Sequence, residues 1–586
     1  MKKFLSANEA VAHAAAQAGC VVASAYPGTP STEILENVAK FKDTVRCEWA
    51  VNEKVAMETA IGASMAGARA LTAMKHVGFN VAMDPLMTFT YVGATGGMVI
   101  VSADDPGMHS SQNEQDNRNL AKFARALMLE PADSQEAYDM TVEAFSLSEK
   151  FQVPVIIRLT TRTSHSASIV NLGNFKPAPR ALIPYVKNIR KTIPVPMFAR
   201  GHRLAAEERT LAMEMEAVKS PFNRIIPGKK TLGIVTSAVA YQYVREIFPE
   251  YSILKLGWTN PLPKALIKKF ARSVKHLVVV EELDPFLEDQ IKAMGIKVQS
   301  HKTELNMFEL NADRLQNLRH ELLKDVPKVK PAKVPELPTR PPVLCAGCGH
   351  RSVFHVLSKL KATVTGDIGC YTLGAFPPLN AMDTTICMGA SVGNAAGMKK
   401  AGLKGRICAV LGDSTFFHSG ITGILSALYN GTPVTTVVLD NRITGMTGHQ
   451  ENPGSGKTLA GDPAPVVEID EIARACGYKK VERVDADDIA RLEKVLAESM
   501  DGDEPALVIA YAPCRIAAKL TKAGLCEVDE EKCKACGMCF KIGCPAMTRG
   551  REIRKGAFQM MIDSNLCAGC TQCSQICKFG AVKRVR

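Results

Sequence analysis

The chain has 586 residues, 46% hydrophobic and 22% charged, the composition of a globular protein with several cores and not of a disordered or fibrous chain. The formal net charge of +13 would suit a nucleic-acid binder, but that count treats 18 cysteines as neutral. Most of those cysteines sit in patterns that carry anionic groups, so no nucleic-acid partner is expected; the basic surface is either simply solvated or a docking face for an acidic electron carrier.

The N-terminus, MKKFLSANEAVAHAAAQAG, has no apolar core of a secretory signal. No apolar run is long enough for a bilayer span. A cysteine-rich chain without an export signal fits a reducing, cytoplasmic location with no membrane partner. Residues 1–170 alternate strand and helix patterns. Residues 21–26 predict a strand that meets the turn Pro27-Gly28-Thr29-Pro30, with Ser31 placed to cap the next helix. Residues 51–68 predict a small-residue helix, and 97–102 a buried strand ending at Asp104-Asp105-Pro106-Gly107. This alternation predicts an α/β domain with a mainly parallel sheet.

Residues 171–225 are proline-spaced and then charged, a linker and a helix. A second α/β unit is expected over 226–325, with strands at 231–236 and 277–280. Residues 326–342 carry six prolines among several lysines, the composition of a semi-rigid linker. A third α/β domain is expected over 343–522, with strands at 407–411, 434–439 and 506–510. A compact tail covers 523–586.

Eight cysteines of the tail fall in two runs: Cys533, Cys536, Cys539 and Cys544, then Cys567, Cys570, Cys573 and Cys577. The second has the spacing C-x2-C-x2-C-x3-C of two-cluster ferredoxins, in which the fourth Cys of each run ligates the other cluster. Cys533, Cys536, Cys539 and Cys577 are therefore assigned to 4Fe–4S cluster one, and Cys544, Cys567, Cys570 and Cys573 to cluster two. Zinc would use paired rather than tripled cysteines. The tail predicts one-electron transfer.

Gly412-Asp413-Ser414 closes a predicted strand, and Asp440-Asn441 closes the next. The pair resembles the thiamine-diphosphate motif. Magnesium takes a few hard oxygen ligands plus phosphate oxygens. Two adjacent strand ends can offer it the Asp413 carboxylate, the Asn441 amide oxygen and the Ile443 carbonyl, where open α/β sheets bind ligands. Gly389-Ala390-Ser391 opens a helix whose N-terminus suits a phosphate. An ordinary pair of strand-end turns is the alternative. A thiamine enzyme also needs a glutamate that hydrogen-bonds the aminopyrimidine ring; Glu53 is the choice, with Glu48 and Glu58 behind it.

Taken with Asn52-Glu53-Lys54-Val55-Ala56, Cys345-Ala346-Gly347-Cys348-Gly349-His350-Arg351, Gly366-Asp367-Ile368-Gly369-Cys370 and Met446-Thr447-Gly448-His449-Gln450, these motifs resemble the 2-oxoacid:ferredoxin oxidoreductases over essentially the whole chain. The likeness is greatest to the large (alpha) subunits acting on aryl pyruvates such as indolepyruvate. It implies two doubly wound thiamine-binding domains, a transketolase C-terminal-like α/β domain between them, and an α+β two-cluster ferredoxin tail. It implies a reaction: an aryl 2-oxoacid, coenzyme A and oxidised ferredoxin give an aryl-acetyl-CoA, carbon dioxide and reduced ferredoxin. A small beta subunit, ferredoxin and an α2β2 assembly are the expected partners. The resemblance also implies a third 4Fe–4S cluster on Cys345, Cys348, Cys370 and Cys514, with buried structural thiols as the alternative. For substrate, the Gly28-Thr29 turn leads, followed by Lys75, His76, His109, Gln112, His418 and His449. The same chemistry on pyruvate or branched-chain oxoacids, and a non-catalytic electron-transfer scaffold, are the rival expectations.

Overall fold

The computed structural model describes residues 1–177, 180–299, 303–330, 335–338 and 341–585, the side chains of 303 and 304 excepted. The predicted linker over 326–342 lies partly outside the described residues. The chain forms two compact units, Met1–Pro335 and Glu336–Arg586.

The first unit is built on a seven-stranded sheet. In spatial order its strands are Trp258–Asn260, Leu127–Leu129, Val155–Thr160, Met98–Asp104, Ala70–Lys75, Val22–Ala25 and Arg46–Trp49. All pairings are parallel except that of the edge strand Trp258–Asn260. Met98–Asp104 and Val155–Thr160 are buried along their whole length, as strands covered by helices on both faces must be. A second sheet has the order Leu277–Val280, Lys229–Ser237, Tyr251–Leu256, Arg224–Ile226.

Two features of this unit differ from expectation. Trp258–Asn260 comes from the segment assigned to a separate domain over 226–325, yet it completes the first sheet, and Trp258 is 1% exposed. The helix expected within 171–225 is Pro196–Ala217, and the segment runs into the sheet strand Arg224–Ile226. Ser31 stands before the helix Thr32–Val38, but its hydroxyl donates to the Gly28 carbonyl at 2.8 Å, so it closes the turn and leaves the helix uncapped.

Buried charge ties the strand ends of this unit together. Arg118 bonds Asp116 and, at 2.6 Å, Glu281. Arg158 bonds Asp104 at 2.7 Å and Glu130 at 2.5 Å. Glu282 accepts the Leu310 amide at 2.8 Å through Oε1, while its Oε2 is buried without a hydrogen-bond partner. Burial pushes both Glu281 and Glu282 up to about 7.

The second unit carries a six-stranded, wholly parallel sheet in the order Thr384–Thr385, Thr363–Gly366, Ile407–Gly412, Thr435–Asp440, Ala506–Tyr511, Lys480–Asp485. Its tail is two antiparallel pairs, Cys526–Val528 with Val582–Arg584 and Met547–Arg554 with Ala557–Ile562, and the short helix Gln572–Ile576. Both units are α/β, with the tail a small α+β addition, as the element alternation predicts.

The raised Glu282 carboxyl has a pH consequence. Its native-state affinity for a proton exceeds that of the unfolded chain, so its contribution to stability is present below the unfolded carboxyl range near pH 4.5 and is lost as pH rises through about 7. Glu282→Gln should be nearly neutral at pH 5 and progressively stabilising relative to the parent toward pH 8, by up to about 3 kcal/mol. Thermal unfolding of both proteins across that range checks it; parallel pH curves would refute it.

Candidate functional site

The second unit shows why Asp413 and Asn441 meet. Ile407–Gly412 and Thr435–Asp440 are adjacent parallel strands in register, with Gly412 opposite Leu439. Both end at the same edge of the sheet, so the residue after each projects from it. The Ile443 amide donates to Asp413 at 3.1 Å and to the Asn441 side-chain oxygen at 3.0 Å. Oxygens from two strand ends thus converge on one point. Asp413 further accepts from the Ser414 amide at 2.7 Å and from Asn452 at 3.3 Å, and the Thr444 hydroxyl donates to Ser414 at 3.0 Å. Asn452 and Thr444 have no sequence signal of their own; they arrive on the loop that follows Asn441.

Burial, and then the charge of Asp440, push Asp413 up to about 7. A carboxylate that is 3% exposed beside a second carboxylate suits a hard divalent cation, which would supply the missing positive charge. The residues present therefore fit magnesium and a diphosphate. Gly412 is required by close approach: a Cβ there would stand 2.9 Å from the Tyr371 ring. That ring's hydroxyl is 3.0 Å from Thr415 Oγ1.

Gly389 does precede a helix, Ala390–Lys400, at φ +88°. The N-terminus is not open, however. The Asp367 carboxylate accepts the Ser391 amide at 2.8 Å and the Ser391 hydroxyl at 2.7 Å. Asp367 serves as the anion for which the helix end was expected to recruit a phosphate.

One cavity beside Asn441 gathers Cys345, Cys348, Cys370 and Cys514, together with His350 and His449. The Cys514 amide donates to the Asn441 carbonyl at 3.2 Å, which ties this cavity to the strand-end site. Burial and then the neighbouring thiols Cys348, Cys345 and Cys514 push Cys370 up to about 12. The neutral thiols crowd unfavourably as thiolates unless iron takes their charge, which is the environment a cluster site requires. His350 is buried with Nδ1 unbonded, and burial pushes it down to about 4, so its imidazole is neutral.

The tail repeats the pattern. Cys533, Cys536, Cys539 and Cys577 line one cavity, the set assigned to cluster one. The Ala581 amide donates to Cys577 Sγ at 3.3 Å; amides of Gly569 and Cys526 donate to Cys567 Sγ at 3.4 and 3.3 Å. Such N–H···S bonds stabilise thiolate ligands and help set cluster potentials. Cys570 and Cys573 stand with Cys544. Cys526, outside the two cysteine runs, is 1% exposed and lies in this group, with its thiol in hydrogen-bonding contact with Cys573 and Cys567. Only the pairing of Cys526–Val528 with the last strand puts it there. Among the described residues no three His, Cys, Asp or Glu close on a single ion, whereas a four-iron cube holds its ligands farther apart than one ion does.

The cysteines assigned to cluster two adjoin the inner set. Gln572 donates to the Cys348 carbonyl at 3.1 Å, and a Cβ on Gly347 would stand 3.6 Å from that of Cys570.

In the first unit, Glu53 opens the helix Glu53–Met65 behind the Asn52 cap, which accepts the Val55 amide at 2.9 Å. Glu53 is 6% exposed and its carboxylate lies against Gly78, leaving no room for a Cβ there. Glu58 pairs with Lys54 on the surface, and Glu48 accepts the Ser24 hydroxyl at 3.1 Å. Of the three, only Glu53 is buried. Thr29, Lys75 and Asp105 come together around Ser110: Lys75 Nζ donates to its carbonyl at 2.5 Å, its hydroxyl donates to the Thr29 carbonyl at 3.4 Å, and its amide donates to Asp105 at 2.8 Å. Burial pushes Lys75 down to about 8. His76 is buried and bonded through Nε2 to the Asn113 carbonyl at 3.2 Å; His109 is half exposed, 3.5 Å from Glu309. Gln112 is exposed. His418 is 2.6 Å from Ser419 Oγ, in the wide helical turn Phe416–Gly420. His449, at φ +69°, lines the second unit's cysteine cavity.

Asp413 is the one charged group of the strand-end pair that fits a cation. Asp413→Asn should weaken magnesium-dependent thiamine diphosphate binding by roughly 100-fold, about 2.7 kcal/mol. Calorimetry on the purified protein checks this; unchanged affinity would move the cofactor elsewhere.

Comparison with known proteins agrees with this geometry. The family model "Pyruvate flavodoxin/ferredoxin oxidoreductase, thiamine diP-bdg" matches residues 13–215, and "Thiamine pyrophosphate enzyme, C-terminal TPP binding domain" matches 367–510. "Indolepyruvate oxidoreductase subunit IorA" of Archaeoglobus fulgidus is 39% identical over 618 residues, covering 99% of this chain and 97% of that one. The subunit of the same name from Pyrococcus abyssi is 40% identical over 633 residues, covering 100% and 97%. A solved 2-oxoglutarate:ferredoxin oxidoreductase from Magnetococcus marinus, with 2-oxoglutarate, coenzyme A and succinyl-CoA bound, matches at TM-score 0.47 and 19% identity over 55% of this chain and 65% of that one, too distant to carry any argument. With full-length relatives at this identity and both thiamine-binding regions matched, the chain belongs to the family of indolepyruvate oxidoreductase IorA subunits, thiamine-dependent 2-oxoacid oxidoreductases.

Proposed function

We propose that the chain is the thiamine- and cluster-bearing subunit of an enzyme that oxidatively decarboxylates aryl pyruvates, indolepyruvate first, to aryl-acetyl-CoA and passes the electrons to ferredoxin. The observation that carries this is the cavity shared by four cysteines and Asn441. A decarboxylase without redox chemistry has no use for four thiols beside its cofactor site. An electron-transfer scaffold has no use for a buried Asp413–Asn441 pair.

Thiamine diphosphate, when bound, supplies the carbanion stabilisation that lets carbon dioxide leave a 2-oxoacid. Asp413, Asn441 and the Ile443 carbonyl hold the magnesium that anchors its diphosphate. Glu53 hydrogen-bonds the aminopyrimidine ring, and Gly78 packs behind its carboxylate to fix its position. Lys75 and the Thr29 turn receive the substrate carboxylate; a lysine without a directly bonded carboxylate partner suits that anion. Cys345, Cys348, Cys370 and Cys514 hold an inner 4Fe–4S cluster, followed by cluster two and cluster one. Coenzyme A enters as cosubstrate, a companion beta subunit completes the enzyme, and an α2β2 assembly is the proposed stoichiometry. No helix among the described residues is long and apolar enough to cross a membrane.

The test is anaerobic reduction of the clusters, followed by visible absorbance, in the chain co-expressed with its companion subunit. With thiamine diphosphate, magnesium, coenzyme A and indolepyruvate, the absorbance should bleach. Glu53→Gln should slow bleaching by roughly 100-fold or more, and Gly78→Ala should act in the same direction by displacing the carboxylate. Bleaching with pyruvate alone would keep the chemistry and overturn the aryl substrate. No bleaching with any oxoacid, in protein whose clusters dithionite reduces, would overturn the enzymatic reading. Iron analysis should give about twelve irons per chain; about eight would remove the inner cluster.

A further inference from the structure

Arg351 closes the run Cys345-Ala346-Gly347-Cys348-Gly349-His350-Arg351 and is 2% exposed. Its Nε donates to the Cys345 carbonyl at 2.8 Å, and its Nη1 donates to the carbonyls of Ile542, at 3.4 Å, and Gly543. Its Nη2 is buried and has no hydrogen-bond partner. A guanidinium cannot shed its proton in a protein, and an unpaired buried charge is strongly destabilising.

The chain's other fully buried arginines are paired with carboxylates: Arg118 with Asp116 and Glu281, Arg158 with Asp104 and Glu130. Arg351 forms no such pair among the described residues. The ionisable groups around it include the thiols of Cys544, Cys348, Cys345 and Cys570 and the neutral imidazole of His350. Two of the thiols belong to the inner set and two to cluster two. As neutral thiols they leave the guanidinium uncompensated. As ligands of anionic clusters they supply its counter-charge from both sides.

We propose that Arg351 is the positive charge shared by the inner cluster and cluster two, holding both potentials up and keeping them matched for electron transfer. The proposal rests on the cluster assignments above. Each hop oxidises the inner cluster by one electron and reduces cluster two by one, with ferredoxin the final acceptor. The transferred charge leaves one side of the guanidinium and arrives on the other. Its electrostatic stabilisation is therefore retained through the hop, and the surroundings have little to rearrange. Arg351 is a positioning residue in this sense; it acts through the clusters and touches no substrate.

The experiment is a redox titration followed by electron paramagnetic resonance on the full chain with its companion subunit, after iron analysis. In Arg351→Met the inner cluster and cluster two should each become about tenfold harder to reduce, about 59 mV more negative for one electron. Cluster one, whose cavity Arg351 does not line, should keep its potential. Arg351→Lys, which keeps the charge but loses the forked hydrogen bonds, should restore both potentials. If the methionine variant does not load iron, Arg351→Gln takes its place with the same expectations. Potentials unchanged in a fully loaded neutral variant would overturn the proposal. So would a lysine variant that shifts as far as the neutral one, since the hydrogen bonds and not the charge would then matter. A parent protein with about eight irons would instead defeat the inner-cluster assignment itself.

Discussion

The parallel register between Ile407–Gly412 and Thr435–Asp440 is the constraint on which the second unit's chemistry depends. It brings two strand ends to one level, so that Asp413 and Asn441 can share the Ile443 amide. A slip of one residue would turn every side chain of one strand to the opposite face of the sheet. Both strands are buried throughout, with apolar centres, which locks that register, and the rigidity of the core is thereby transmitted to the site. The same edge carries Ala506–Tyr511 and, after it, Cys514, whose amide bonds the Asn441 carbonyl. One sheet therefore fixes both a cation site and one wall of the cysteine cavity.

Electrostatics divides the molecule into two styles of burial. The first unit pairs most of its buried charge internally, through arginine–carboxylate networks that join strand ends, with Glu282 the exception. The second unit leaves some charge unsatisfied: the raised Asp413 carboxyl, a cavity of crowded thiols, and Arg351 with no carboxylate among the described residues. Networks of the first kind hold a fold together. Sites of the second kind are incomplete until something charged binds, and functional groups concentrate there.

What could be read from the sequence was local. The cysteine triplets are spaced by the cluster they wrap, so Cys533, Cys536, Cys539 and Cys577 fall around one cavity as their spacing predicts. Leu277–Val280 is an uninterrupted apolar run and is a strand with those bounds. Glu53 stands at the head of a helix that composition alone suggests. What was missed depends on contacts between distant segments. Asp367 occupies a helix end more than twenty residues away, which no local pattern announces. Trp258–Asn260 is three residues long and has a role only because Leu127–Leu129 offers it an edge. Cys526 belongs to a cysteine group because the tail's first and last strands pair. Arg351 was visible as a motif residue, but its lack of a carboxylate is a property of the folded interior.

The tail's own apolar core is small: Cys526, Cys539, Met547, Met560 and Val582 are its buried members, with cysteines packed around them. A segment of this size buries too little apolar surface to offset the entropy of ordering its backbone. Several amides that would otherwise bond water or backbone point instead at cysteine sulfur. With the clusters proposed above bound there, maturation and folding of this region would be one event, as in other small metal-dependent domains. A cell short of iron or sulfide would then make a chain whose α/β sheets are intact and whose last sixty or so residues are an unstructured, protease-sensitive strand, and supply of the inorganic cofactor would be a checkpoint on how much finished protein accumulates.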